Sequence, residues 1–464
     1  MNKFFLLLFI QGVCMINFSC KKNSIITGSN AIVNFSTDTV SFDTVFVTTG
    51  SVTQSVKIYN ANNQELILQS IKLMGGSQSP FRINIDGSNT LQQSNTEMDP
   101  GDSLYIFVSV YVNPNSSNLP FILEDSILVS FNGIQKFIQL RAYGQNAHFL
   151  NNLEISSTTV WQNDLPYVVL GGIQIDSGVS LTIQNGCKVY FHANAPMLVN
   201  GTLLANGLDS SRVLFTGDRL DVPYNSFPGS WPGIYFGNSS KDNVLGFAEI
   251  QNADQTIVVT GLPADANPKL SLNDCIINNA YTSGLSVIQS SVSAQNCLIS
   301  NCGNNIILQY GGSYSFINCT VASYSNIYLS HNNPVLEISN SFDSVATLTA
   351  DMSANFTNCI FWGSTGSVTN EVVSSNTGSN LFNIQFNHGL WRVQNIPAGV
   401  SSNNMNITDP LFDSLNNVAP YYNFHLQTGS PAIGTGIYTG IPIDLDGNSR
   451  VSASGTDLGC YEHP

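Results

Sequence analysis

The sequence predicts an all-β chain in two parts, an immunoglobulin-like β-sandwich followed by a parallel β-helix solenoid, and three observations carry that prediction. A short phrase recurs as Ala248-Glu-Ile250-Gln-Asn252-Ala253, Cys275-Ile-Ile277-Asn-Asn279-Ala280 and Cys297-Leu-Ile299-Ser-Asn301-Cys302. The second and third copies lie 22 residues apart and the first precedes the second by 27. The cysteine position returns after 22 residues as Cys319, after another 22 as Ser341, and 18 later as Cys359. Within each phrase, small and β-branched residues alternate with polar ones, the period of a strand with one buried face. Ahead of position 150 the repeat is absent, and short alternating runs punctuated by turn residues take its place.

The N-terminal part, residues 32–147, reads as antiparallel β. Leu104, Ile106, Val108, Val110 and Val112 mark one face of a long strand that ends at Asn113-Pro114. Ser126 to Phe131 and Ile134 to Arg141 flank Asn132-Gly133, a two-residue hairpin signal. Several such strands over this stretch predict an immunoglobulin-like sandwich. It contains neither Cys nor Trp, so the prediction concerns architecture alone.

The solenoid type follows from the length and chemistry of the repeat. Helical solenoids need roughly 33 residues per repeat and an i, i+3, i+4 stripe, and leucine-rich repeats carry Leu at several fixed offsets. Here the inward positions are Cys, Ala, Ile, Val and Phe. Each coil is therefore one rung of a parallel β-helix stacked about 4.8 Å from the next, and about 11 coils fit between residues 150 and 400. In such a stack Asn252, Asn279 and Asn301 form an internal amide ladder at a corner. Cys275, Cys297 and Cys319, with Cys302 and Cys359, are expected as small buried side chains of the stack and not as a disulfide framework. Gly261 to Pro268 is a loop extruded from one coil, which accounts for the longer spacing.

The first twenty residues are a targeting segment: Lys3, then an apolar run from Phe4 to Ile10, broken at Gln11-Gly12. They end Asn17-Phe18-Ser19-Cys20-Lys21-Lys22, which resembles a bacterial lipoprotein signal. That resemblance implies lipidation of Cys20, a polar tether over 21–31, and an outer-membrane lipoprotein of the cell envelope facing either the periplasm or the outside. Ordinary secretory cleavage and an uncleaved anchor are the alternatives.

Two further stretches carry a resemblance. Gly178-Val-Ser-Leu181-Thr-Ile183, Gly201-Thr-Leu203-Leu-Ala205-Asn-Gly207, Phe215-Thr-Gly217 and Trp231-Pro-Gly233-Ile234 resemble the opening coils of secreted bacterial right-handed parallel β-helix proteins. Near the other end come Asn358-Cys359-Ile-Phe-Trp362-Gly363, Asp409-Pro410-Leu411-Phe412, Phe424-His425-Leu426, Gly429-Ser430-Pro431-Ala432-Ile433, Asp444-Leu-Asp446-Gly447-Asn448 and Asp457-Leu-Gly459-Cys-Tyr461-Glu462. In that order they resemble the closing segment of the same proteins, with Gly434 where Asp is usual and Cys460 for Ala. A sandwich followed by this solenoid is similar to lipoproteins of Bacteroidetes, which implies a right-handed β-helix over 150–408 and a closing segment over 409–464 that covers the last coil. Trp231 is expected as a packing aromatic near a corner.

Composition narrows the function. The formal charge of -15 argues against nucleic acid or anionic lipid as a partner. After position 150 the basic residues are Lys188, Arg212, Arg219, Lys241, Lys269, Arg392 and Arg450, too few and too scattered for lyase chemistry on a polyanion. Hydrolases of this fold place two or three Asp on adjacent strands, whereas the repeats here present Asn, Ser and Gln. Asn387-His388-Gly389 is expected as a corner, and Asp444, Asp446 and Asn448 as a capped turn in preference to a calcium loop. No cofactor, metal or catalytic residue is assigned. The expected function is a non-catalytic, lipid-anchored envelope protein whose β-helix face binds a polysaccharide or an envelope protein. The alternative is a carbohydrate-active enzyme, a polysaccharide lyase or glycoside hydrolase, with loop carboxylates such as Asp218, Asp221 or Asp254.

Overall fold

Apolar residues at every second position make strands that must bury one face, and this chain does so in two ways. The computed structural model describes residues 24–46, 50–112, 121–342, 348–364, 366–406, 408–416, 421–450 and 455–463. It divides the chain into two compact units, 1–146 and 147–464. Cys20, the signal segment before it and the Asn113-Pro114 turn lie outside the described residues.

The first unit is a sandwich of two sheets, each with five strands among the described residues. One sheet runs Val33–Phe35, Gln54–Asn60, Ser103–Val110, Phe81–Ile85, Ser88–Asn89; the other runs Thr39–Phe46, Ile134–Gln145, Phe121–Phe131, Leu66–Leu73, Gln92–Met98. All pairings are antiparallel except Thr39–Phe46, which joins Ile134–Gln145 in parallel. Val56, Ile58, Ile106 and Val108 from the first sheet and Leu68, Ile71, Ile127 and Val129 from the second are fully buried. The predicted row from Leu104 to Val112 is buried throughout. Asn132 and Gly133 both take positive φ, 45° and 77°, and join Phe131 to Ile134 in a tight hairpin.

The second unit is a parallel β-helix. Among the described residues one sheet has eleven strands, one per coil, from His148–Leu150 to Met405–Asn406, and the other, with 17 strands, supplies the remaining faces of each coil. Register stacks like on like: Ile250, Ile277, Ile299, Val321, Phe361 and Trp391 form one continuous inward row. On the second sheet Leu272, Ala294, Phe316, Phe356 and Phe386 form another, its last three rings stacked at 5.2 and 4.5 Å.

The corners explain the recurrent asparagines. Asn252, Asn279 and Asn301 adopt φ of 64°, 59° and 52°, left-handed backbone that Asn tolerates better than most residues. Asn279 Nδ2 donates to Asn252 Oδ1 at 2.7 Å, while Asn301 turns its Oδ1 to the Tyr324 N–H at 3.0 Å. A second corner column stands at Asp274, Asn296, Asn318 and Asn358, again with positive φ. There Asn296 Nδ2 donates to Asp274 Oδ1 and Asn358 Nδ2 to Asn318 Oδ1, both at 2.9 Å. Each of these four residues precedes a repeat cysteine. Cys275, Cys297 and Cys319 are fully buried, and all seven cysteines among the described residues are free. Burial pushes the Cys302 and Cys460 thiols up to about 12, so neither is a ready nucleophile.

The closing segment corrects one expectation. It runs along the side of the coils and does not simply cover the last of them. Phe412, Phe424, Leu426, Ala432, Leu445, Leu458 and Tyr461 pack on Leu298, Ile360 and Leu390 of one outward column of the eleven-stranded sheet and on Ala322 and Trp362 of the next. The segment also bonds the second corner column: Asn358 Nδ2 to the Ile437 carbonyl, Asn296 Nδ2 to that of Ile443, and the Arg450 guanidinium to Asn296 Oδ1. A parallel sheet whose outward face is apolar must be covered on that face, and the closing segment covers it.

Candidate functional site

The ladder expected of the three asparagines is a single bond, Asn279 to Asn252, but all three, Asn301 included, floor a cleft of about 140 Å³, lined also by Asn225, Ser226, Gln251, Asn278, Asn326, Tyr328 and Tyr422. Its first wall is the excursion after the strand Val213–Gly217, shaped by a single tight turn at Tyr224–Ser226. The floor holds this wall directly: Asn252 Nδ2 donates to the Asn225 carbonyl and Asn279 Nδ2 to that of Ser226, both at 2.9 Å. The opposite wall is the loop that follows Thr320–Ser323, ordered by Asn326 Oδ1, which accepts from the Tyr328 and Leu329 N–H groups at 2.8 Å. Tyr422, from the hairpin Phe412–Asn416 and Tyr421–Leu426 of the closing segment, completes the rim and donates to the Ser325 carbonyl at 3.3 Å. Aromatic rings continue outward: Tyr328 meets Phe227 at 4.9 Å, Phe227 meets Tyr224 at 4.9 Å, and Arg219 covers the Tyr224 ring at 4.0 Å.

The corner row of the floor continues through Ser323 to Gly363. A Cβ on Gly363 would lie 2.3 Å from Glu371 Oε1 and 2.4 Å from His331 Nε2. Glycine therefore opens the corner for a buried triad in which His331 Nε2 stands 3.1 Å and Arg392 Nη1 3.6 Å from Glu371 Oε1. The triad ties down the loop that carries Asn326 and Tyr328. Sequence reasoning missed His331, Glu371 and the second corner column. The only signals were Gly363 inside a recurring motif and an Asn or Asp before each repeat cysteine.

None of the ten lining residues is ionised; they offer amides, a hydroxyl and phenols. Burial pushes the Tyr422 phenol up, which keeps it a neutral hydroxyl. The loop carboxylates are engaged elsewhere. Asp221 pairs with Arg219 at 2.8 and 3.0 Å, and Asp254 accepts from Thr282 Oγ1 at 2.5 Å. Asp218 Oδ2 lies 2.7 Å from His192 Nδ1, and burial raises its carboxyl against the pull of that histidine. Asp444 Oδ1 accepts from the Asp446 and Asn448 N–H groups, and its Oδ2 accepts from the Glu462 N–H and Asn448 Nδ2, so this motif works as a capped turn. His388 is a corner residue with φ 49° whose N–H donates to Asn403 Oδ1. Trp231 is buried, stacked on Phe191 at 4.2 Å, and donates from Nε1 to the Gln251 carbonyl. It is a packing residue.

The topology defines a parallel β-helix protein with an uncharged amide-and-aromatic cleft at one corner. No protein-family model and no curated protein matches the chain. Among solved structures it is similar to the catalytic unit of a thermostable GH87 α-1,3-glucanase from Streptomyces thermodiastaticus strain HF3-3, with TM-score 0.27 and 8% identity over 78% of this chain and 90% of that one. It is also similar to a family 123 glycoside hydrolase from Clostridium perfringens, at TM-score 0.18 and 9% identity over 25% of this chain and only 26% of that one. A third is the ASH/PapD-like domain of human CEP192, at TM-score 0.17 and 8% identity over 25% of this chain and 84% of that one. At these TM-scores the likenesses carry no argument about chemistry.

Proposed function

We propose that the chain binds a neutral polysaccharide in the corner cleft, as an envelope protein that holds the glycan without cleaving it. One observation carries this reading: the cleft is walled by amides and aromatic rings and lined by no acid. Each sugar hydroxyl both donates and accepts, and so does each primary amide. The C–H face of a pyranose packs on rings such as Tyr328 and Tyr422. At about 140 Å³ the cleft is smaller than the roughly 300 Å³ at which pockets enclose a whole small ligand, so it grips part of a longer chain. Tyr328→Ala is expected to weaken binding about tenfold, equivalent to about 1.4 kcal/mol, in a titration against whichever neutral glycan an array identifies. Retention of full affinity by that variant would remove the cleft from the reading.

A second reading, a carbohydrate-active enzyme, is favoured by Asp218, a largely buried carboxyl that burial pushes up and that lies 2.7 Å from His192 Nδ1. Assaying reducing ends on the polysaccharides that bind separates the two. New ends that disappear in Asp218→Asn would establish the enzyme; binding without release supports the first reading.

Envelope attachment belongs to the same proposal. With Cys20 as the lipidated residue, Cys20→Ser should move the protein from the membrane fraction to the soluble one and lower its mass by the acyl chains. Unchanged fractionation and mass would overturn lipidation.

A further inference from the structure

The break in the corner ladder leaves the floor of the cleft with unspent hydrogen-bonding groups. Asn279 Nδ2 donates to the Ser226 carbonyl at 2.9 Å and to Asn252 Oδ1 at 2.7 Å, which engages both of its hydrogens. Its Oδ1, which a continued ladder would offer to the next coil, accepts nothing among the described residues. On that next coil, where Ser300 pairs with Asn278, Asn301 has turned its Oδ1 to the Tyr324 N–H at 3.0 Å. Asn301 Nδ2 therefore donates to nothing among the described residues. The wall adds a further donor, because Asn326 Oδ1 accepts from the Tyr328 and Leu329 N–H groups and leaves Nδ2 unused.

These orientations are fixed, since each rests on a backbone partner that can play only one part. A carbonyl only accepts, so Asn279 turns its nitrogen to Ser226; a backbone N–H only donates, so Asn301 and Asn326 turn their oxygens to Tyr324 and Tyr328. All three asparagines line the cleft. Asn279 and Asn301 are 9% and 3% exposed, so a group that reaches them has to enter it.

The amides fixed in this way offer an acceptor, Asn279 Oδ1, and two donors, Asn301 Nδ2 and Asn326 Nδ2. At about 140 Å³ the cleft does not admit a whole sugar, so what enters is a substituent of one. An acetamido group matches the set. Its N–H suits Asn279 Oδ1, and its carbonyl oxygen has two lone pairs for the two Nδ2 donors. Its methyl is apolar and meets the Tyr328 and Tyr422 side chains that line the same space. A lone hydroxyl has one hydrogen and no methyl, and it fills less of the cleft and leaves part of the set unpaired.

We propose that the cleft selects sugars that carry an acetamido group, the ligand amide taking up the hydrogen bonds at which the asparagine ladder stops. This inference rests on the reading of the cleft as a glycan site and narrows it from neutral polysaccharides in general to those of N-acetylated amino sugars.

The test uses the full chain and saturation-transfer NMR. The probes are the methyl β-glycosides of N-acetylglucosamine and N-acetylgalactosamine, matched against those of glucose and galactose, which carry a hydroxyl in place of the acetamido group. The acetamido glycosides are expected to bind about tenfold more tightly, with the acetyl methyl as the most strongly saturated group. Asn301→Asp keeps an oxygen for the Tyr324 N–H and replaces the free donor by an acceptor, and Asn326→Asp does the same at the less buried wall. Each should weaken acetamido binding about tenfold, and the melting temperature of Asn326→Asp should stay that of the wild type. Equal affinity for the acetamido and hydroxyl glycosides, or acetamido binding unaltered in both variants, would overturn the selection. So would failure of both acetamido glycosides to bind where a neutral polysaccharide does. In each of these cases loss of glycan binding in Tyr328→Ala would leave the cleft itself standing. Absence of binding by every glycoside and every neutral polysaccharide would remove the cleft reading, and this inference with it.

Discussion

Gly233→Ala is expected to abolish soluble expression of the protein. Gly233 has φ 128°, and a Cβ there would sit 1.7 Å from the Gln255 carbonyl oxygen. That oxygen belongs to backbone of the next coil, which cannot withdraw, because the Gln255 N–H donates to the Pro232 carbonyl at 3.0 Å and the Met197 N–H to that of Gly233 at 3.0 Å. Trp231, two residues earlier, locks the same bend from inside the core. The clash therefore acts on three coils at once, and a cost of more than about 4 kcal/mol is expected, in the tail of single-substitution effects. Gly178→Ala is the matched control: φ is 78° there, but nothing lies within 4 Å of the added carbon. That control should lose only about 1–2 kcal/mol, the cost of a Cβ in left-handed backbone. Equal yields and equal melting temperatures for the two variants would refute the tight-bend account.

The second large effect is expected at Arg450, which is 1% exposed. Its guanidinium donates to Glu462 Oε1 at 2.6 Å, to Asn296 Oδ1 at 3.0 and 3.2 Å, and to the Gly459 carbonyl at 3.0 Å. Arg450→Met keeps much of the volume and removes every one of these bonds, leaving Glu462 buried without its cation. Breaking a buried pair this way costs about 3–5 kcal/mol. The closing segment should then become susceptible to limited proteolysis, and exposure of Leu298, Ile360, Trp362 and Leu390 should promote aggregation. The pH dependence has a definite sign. Burial raises the Glu462 carboxyl, and Arg450 opposes the rise. Without Arg450 the folded protein holds that proton more tightly than the unfolded chain does. Such a group contributes stability that is fully present below its unfolded value, about 4.3, and is lost as pH rises through the folded one. The deficit of Arg450→Met measured by urea unfolding should thus be largest at neutral pH and shrink on acidification. A deficit independent of pH would mean that packing, not the unpaired carboxylate, carries the cost.

Much of the fold was legible because solenoids and hairpins are governed by local chemistry. A repeat of 22 residues can close only one coil, so the recurrence from Cys275 to Cys297 to Cys319 already implies stacking and the burial of those side chains. Asn132-Gly133 implies a tight hairpin because both positions need positive φ, and Asn at 252, 279 and 301 implies corners for the same reason. The candidate cleft was legible only in its floor. Its walls come from segments 218–229, 324–333 and the strand 421–426, which no spacing connects and which meet because the coil stack brings their ends to one corner. Likewise nothing in the order of letters shows that Gly363 makes room for Glu371 and His331. The sequence alone determined the period, the strand faces and the corners, since each depends on neighbours within one coil. Only the tertiary structure decided where the closing segment lies, which loops wall the cleft and which charges are buried together, because those depend on contacts between residues tens to hundreds of positions apart.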